Sequence, residues 1–232
     1  EYEGTIQLAN ASAHVNGNLA TTQRDFDTSM EVVLDEDVRS KADTEALGIL
    51  PGDFVCVEPR FTVTKKGYIK SRFLDDKASA AVLLALAKYI RDENVTCKRS
   101  IWIAFTVYEE IGHGGASGFP EGLTEMMSVD MGCVGEGLTC TERQVSICAK
   151  DGGGPYNYDC VTNLIQAAKK AGADYAVDVY HYYSSDVDVS LRAGYDVRHS
   201  LIGPGVYASH GYERTHIDGL TNTFDLLEAY LF

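Results

Sequence analysis

The chain has 232 residues, 45% of them apolar and 23% charged, with 20 Lys and Arg against 34 Asp and Glu and a formal net charge of −14. That balance disfavours nucleic acid and anionic membrane as partners, since both are polyanions, and no apolar run approaches the ~20 residues that span a bilayer. The length suffices for a full hydrophobic core, either in one large domain or in one with a smaller companion.

Residues 1–58 have the texture of a small β-rich domain. Short β-type runs, Gly4 to Leu8, Met30 to Leu34 and Phe54 to Val57, alternate with polar turns. Lys41 to Leu47 forms a single short helical piece stopped by Gly48, and Leu50 to Asp53 (LPGD) is a turn. Glu1 falls inside what reads as a strand, EYEGTIQLA, so the domain is expected to be N-terminally incomplete.

Residues 59–232 alternate strands and helices. After a turn at Lys65 to Gly67, the stretch Ala78 to Arg91 places Leu83, Leu86, Ala87 and Ile90 at i, i+3, i+4 and i+7, which predicts an amphipathic helix. Ser100 to Val107 (SIWIAFTV) is β-branched and aromatic, and predicts a strand buried on both faces of a parallel sheet. Strands follow at Met126 to Val129, Val145 to Ala149 and Tyr175 to Val179, with helices at Tyr158 to Ala171, Val187 to Ala193 and Thr221 to Leu231. Repeated β-α-β units predict an α/β fold whose mainly parallel sheet is flanked by helices. The six cysteines (Cys56, Cys97, Cys133, Cys140, Cys148, Cys160) show no Cys-x-x-Cys spacing and sit in apolar stretches, as reduced core thiols do. With no basic-then-apolar leader, this predicts a cytoplasmic protein.

Ligand-type residues recur at the ends of these elements. Asp75 precedes the first long helix, Glu109 and Glu110 end the SIWIAFTV run, Asp130 ends the next strand, and His216 lies in a loop near the C-terminus. In open α/β sheets the carboxyl ends of strands are where ligands bind. Two adjacent carboxylates in a partly dry site call for a cation, one as ligand and the other free as a general base. A carboxylate and imidazole set suits zinc, cobalt or manganese. Taken singly, each residue has a plainer explanation: Asp75 as a helix cap, Asp130 as a turn former, His216 as an ordinary loop histidine.

In this order and at these separations, FLDDKASAA, TVYEEIGHGG, SVDMG and SHGYERTH resemble the M42 family of dinuclear metallo-aminopeptidases, related to glutamyl aminopeptidase and the tetrahedral (TET) aminopeptidases. The resemblance covers essentially the whole chain. It implies a carboxypeptidase/phosphorylase-like catalytic domain over residues 59–232 and, over residues 1–58, the later part of an inserted PDZ-like β-domain that builds dimers. It also implies two divalent metal ions per subunit, zinc or cobalt first and manganese third. Asp75 would bridge the two ions, Glu110 would bind one, Asp130 the other, and His216 would complete a coordination sphere, with His210 its rival. Glu109 would be the general base toward a bridging water. Asp76 would orient its ligand neighbours, and Asp186 falls in a family segment near the active site without an assigned role. The implied substrates are short peptides losing N-terminal residues, and the implied assembly is a homo-oligomer, dimers building a dodecamer. The family's fifth ligand, a His in a His-x-Asp segment ahead of the insert, has no counterpart here, and His14 lies within the insert. Two alternatives stay open: another dinuclear hydrolase of the clan, such as a dipeptidase or deacylase, or a non-catalytic peptide-binding or assembly homologue.

Overall fold

A computed structural model describes residues 1–22, 24–25 and 27–232, and divides them into two compact units, Glu1–Val57 and Glu58–Phe232. In the first unit, β1 (Gly4–Leu8) pairs antiparallel with β2 (Met30–Leu34), Gly4 opposite Leu34 and Leu8 opposite Met30. A short helix α1 (Ala13–Asn16) lies between them and α2 (Lys41–Ala46) follows. Ser40 caps α2, its hydroxyl accepting from the Asp43 N–H at 3.2 Å, which satisfies a donor the first turn leaves open. The Phe54 to Val57 run is not a strand, and Phe54 is 96% exposed.

The second unit carries β3 (Thr62–Val63), β4 (Tyr68–Ser71), α3 (Leu74–Asp92), β5 (Glu125–Val129), β6 (Gly132–Val134) and β7 (Val145–Lys150). Then come α4 (Tyr158–Ala171), β8 (Tyr175–Val179), α5 (Asp186–Arg192), β9 (Arg198–Tyr207), β10 (Glu213–His216) and α6 (Ile217–Leu231). The strands form one sheet in the order β3-β4-β10-β9-β7-β8, with β5 and β6 also pairing on β9. The α/β class with flanking helices holds, while the sheet is mixed. β5 and β6 run parallel to β9, and β7 parallel to β8; β3-β4, β4-β10, β10-β9 and β9-β7 are antiparallel. The short connections β3-β4 and β9-β10 leave no room for a crossover, so those pairs have to be antiparallel.

Strand alternation divides the core. Ile147 and Ile202 point to one face, where Val82 and Leu86 of α3, Leu164 of α4 and Leu226 of α6 cover them. Their chain neighbours Cys148 and Leu201 point to the other, against Met126, Tyr180 and Val187. Cys140, Cys148 and Cys160 are buried, Cys97 and Cys133 partly so, and Cys56 is exposed, all as free thiols. Among the described residues no helix is long and apolar enough to cross a membrane.

Ser100 to Val107 departs most from its expectation. It carries no strand pairing, and Trp102, Phe105 and Val107 are 70%, 53% and 84% exposed. Apolar, β-branched composition states a preference for burial, but a strand also needs a neighbour to take its N–H and C=O groups.

Candidate metal centre

The α3 start places the first candidate ligand. Phe73, at φ 64°, makes a left-handed turn, and the backbone at Asp75 (φ −80°, ψ 104°) and Asp76 (φ −117°, ψ 36°) is not helical, so both carboxylates precede the regular turns. Ser79, one turn on, donates its hydroxyl to the Asp130 carbonyl at 2.8 Å, tying α3 to the end of β5. Asp130 is 8% exposed, and its Oδ1 accepts from the Met131 N–H at 2.6 Å.

Glu109 and Glu110 sit on a 3₁₀ turn, Glu109–Ile111, ended by Gly112 at φ 74°. The Tyr108 carbonyl gathers the N–H groups of Ile111, His113 and Gly114 behind it. Asp186, at the start of α5, braces this loop: its Oδ2 accepts from the Thr106 hydroxyl at 2.6 Å. Its Oδ1 lies where a side chain at Gly114 would be, 2.1 Å from an added Cβ, so that glycine is required for the close approach.

Two groups of potential ligand atoms result, each lying within 4.8 Å of one another: Asp75 with Glu110 and His210, and Asp75 with Asp76 and Asp130. Asp75 belongs to both. His210 Nε2 stands 3.3 Å from Asp75 Oδ2 and 3.4 Å from Glu110 Oε2. The structure therefore assembles Asp75, Glu110 and Asp130 with the rival histidine, His210. His216 is not brought there. It is the N-cap of α6, with Nδ1 accepting from the Asp218 N–H at 3.0 Å and Nε2 2.7 Å from the Lys66 carbonyl, and it is 3% exposed. Both ring nitrogens are engaged, and a ligand needs one free.

Electrostatics agree with a cation site. Burial, then Asp130, Glu110, Glu213 and Glu109, push the Asp75 carboxyl up to about 8. Burial, then Asp130, Asp186 and Glu110, push Glu109 up to about 8. Asp130 rises to about 6 through burial, partly offset by the Met131 N–H and Tyr183 hydrogen bonds. Burial and Asp130 also drive Asp76 well up, and its Oδ1 is buried with no hydrogen-bond partner. Crowded, desolvated carboxylates with an orphaned oxygen among them fit a divalent cation, which answers both costs.

Sequence reasoning missed Glu213 and Tyr183. Glu213, 1% exposed, accepts from the Asp75 N–H at 3.0 Å and the His210 N–H at 2.9 Å. Tyr183 donates to the Met131 carbonyl at 3.1 Å, beside Asp130. Tyr183 stands in none of the four motifs; Glu213 stands inside SHGYERTH, where the two histidines drew the ligand reading and the glutamate between them was assigned no role.

The sequence model described as M42 glutamyl aminopeptidase matches residues 1–226. The chain is 44% identical over 230 residues to a Bacillus subtilis (strain 168) protein named "Putative aminopeptidase YhfE", covering 99% of this chain and 66% of that one. Among solved structures, the TET aminopeptidase of the marine sediment archaeon Thaumarchaeota archaeon SCGC AB-539-E09 superposes with a TM-score of 0.81 at 17% identity, covering 98% of this chain and 65% of the other. The Pyrococcus horikoshii TET1 peptidase, described as assembling into a tetrahedron or a large octahedral shell, gives 0.72 at 22% identity, covering 87% and 61%. At such identities the two structures speak to the fold. The chain thus spans 61–66% of the length of these relatives.

Proposed function

The chain belongs to the M42 peptidase family, and from that premise we propose that it forms part of a metal-dependent aminopeptidase that removes N-terminal residues from short peptides. The observation that carries this reading is the sharing of Asp75 between two ligand groups, one with Glu110 and His210 and one with Asp76 and Asp130. Asp75, Glu110 and His210 would hold one divalent cation, and Asp75 and Asp130, with Asp76 beside them, a second. Zinc or cobalt suits this oxygen and imidazole set, with manganese next. Bound there, the cations supply Lewis acidity for hydrolysis and neutralise the carboxylates.

Glu109 is the proton carrier. Its carboxylate takes a proton from the attacking water and returns it to the leaving amine, a role that calls for a pKa near the working pH. Asp186 and Thr106 hold the loop that presents it. Residues 1–58 correspond to the later part of the PDZ-like domain through which subunits pair, and the TET relative's shell supports a homo-oligomer. The free cysteines, three of them buried, suit a reducing, cytoplasmic setting.

The test is hydrolysis of an aminoacyl-p-nitroanilide against its N-acetylated counterpart by the full chain reconstituted with Co²⁺ or Zn²⁺. An aminopeptidase cleaves the first and not the second. Cleavage of the acetylated compound indicates a deacylase or another hydrolase of the same clan, and no cleavage with cations bound indicates a binding homologue.

A further inference from the structure

We propose that Glu213 is a positioning residue that sets the two sides of the cation site against each other by holding their backbones with a single carboxylate. The inference rests on the metal reading above and adds a residue that none of the four motif readings assigned. Asp75 and His210 are 135 positions apart in sequence, on the start of α3 and in the loop between β9 and β10. Their side chains nonetheless come within 3.3 Å.

Neither backbone is held there by regular structure. The first N–H groups of a helix lack intrahelical partners, and α3 has no side-chain cap from Phe73. Glu213 Oε2 fills that role for the Asp75 N–H at 3.0 Å, reaching from 138 residues away. His210 sits at φ 63°, a left-handed conformation uncommon for a non-glycine residue. Glu213 Oε1 accepts its N–H at 2.9 Å. The carboxylate is itself fixed, being 1% exposed on β10, whose residues pair Glu213 opposite Ser71 and Arg214 opposite Tyr207. Charge-assisted hydrogen bonds of this kind are about twice as strong as neutral ones. One rigid side chain thus sets the separation between Asp75 and His210, and a cation that both contact is sensitive to that distance.

The test compares Co²⁺ affinity of the full chain and its Glu213→Gln variant by chelator competition, alongside the visible absorption of bound Co²⁺ and hydrogen exchange of the Asp75 and His210 amides. Gln keeps the volume, but its NH₂ faces one of the two N–H donors. Expected are an affinity about 10–100-fold weaker, the usual effect of removing a group that orients a ligand, an altered Co²⁺ spectrum, and faster exchange at those two amides. Glu213→Asp keeps the charge and shortens the reach, and it decides the same question if Gln prevents folding. An affinity and spectrum equal to the parent chain in whichever variant folds overturns the role of Glu213 while leaving the metal reading intact. Failure of the parent chain itself to bind Co²⁺ overturns the metal reading, and this proposal with it.

Discussion

Glu109 and Glu110 are neighbours in sequence but face different surroundings. A 3₁₀ turn completes a rotation in about three residues, so consecutive side chains diverge. Glu110 reaches His210, whereas Glu109 lies in the field of Asp130 and Asp186. Glu109→Gln should therefore leave Co²⁺ binding close to the parent value and lower kcat by at least ~100-fold, the lower range for loss of a general base. Glu110→Gln should weaken binding instead, and equal kcat in Glu109→Gln would remove Glu109 from the chemistry. The histidines divide in the same way. His210→Ala should lose a cation ligand with little change in urea midpoint, since its side chain is 72% exposed. His216→Ala should lose about 1–3 kcal/mol of stability, because it removes the α6 cap and the Lys66 contact together. His216→Asn, which restores a capping oxygen, should recover part of that stability and bind Co²⁺ like the parent chain. That these carboxylates would cluster was legible in sequence because charge ending an apolar run is unusual. Which of two histidines six residues apart would join them was not, since an imidazole that caps a helix and one that faces carboxylates use the same nitrogens.

At the scale of elements, period and caps carried α3, α4 and α6, and alternation or apolar runs carried β5, β7 and β8. β9 escaped, though it pairs with four other strands, because Gly203, Pro204 and Gly205 in its middle are residue types that favour turns and loops over strands. Packing explains the glycines: a Cβ at Gly203 would lie 1.4 Å from the Asp130 carbonyl oxygen, and one at Gly205 2.1 Å from that of Thr141. Pro204 lacks only a donor there. Gly203→Ala should therefore push the end of β5 away, costing about 3 kcal/mol or more. Because Asp130 moves with it, cation affinity should fall as well, and calorimetry with Co²⁺ titration measures both. Unchanged affinity would mean that the Asp130 side chain is placed independently of this crossing. The Ser100 to Val107 run fails in the opposite sense, apolar in composition yet without a ladder. Its Trp102 is the single tryptophan, so the fluorescence of this chain should be red-shifted and readily quenched by acrylamide. A blue-shifted, protected indole would show that this run is covered in solution.

For the whole molecule, the decisive quantity is how stability responds to pH and to cations together. A carboxyl whose pKa is higher in the fold than in the unfolded chain binds more protons when folded. Its contribution is largest below the unfolded value near 4 and is lost as pH rises through the folded value. For Asp130 that value is about 6, and for Asp75 and Glu109 about 8. The EDTA-treated protein should therefore show a Tm that falls between about pH 5.5 and pH 8.5, and the net charge of −14 pulls the same way through general repulsion. Asp75→Asn separates the two effects, because it removes one crowded carboxylate from the site and changes the net charge by only one. It should flatten the slope markedly if the cluster is responsible and barely if general repulsion is. Saturating Co²⁺ should act unequally at the two ends of the range. Near pH 5.5, protons compete for the ligand oxygens and the gain is small. Near pH 8.5, a cation at 100 times its Kd adds ~2.7 kcal/mol, or about 5–10 °C in Tm for a chain of this size. A cation-induced rise that is equal at both pH values would mean that the ion binds elsewhere than among Asp75, Glu110 and Asp130.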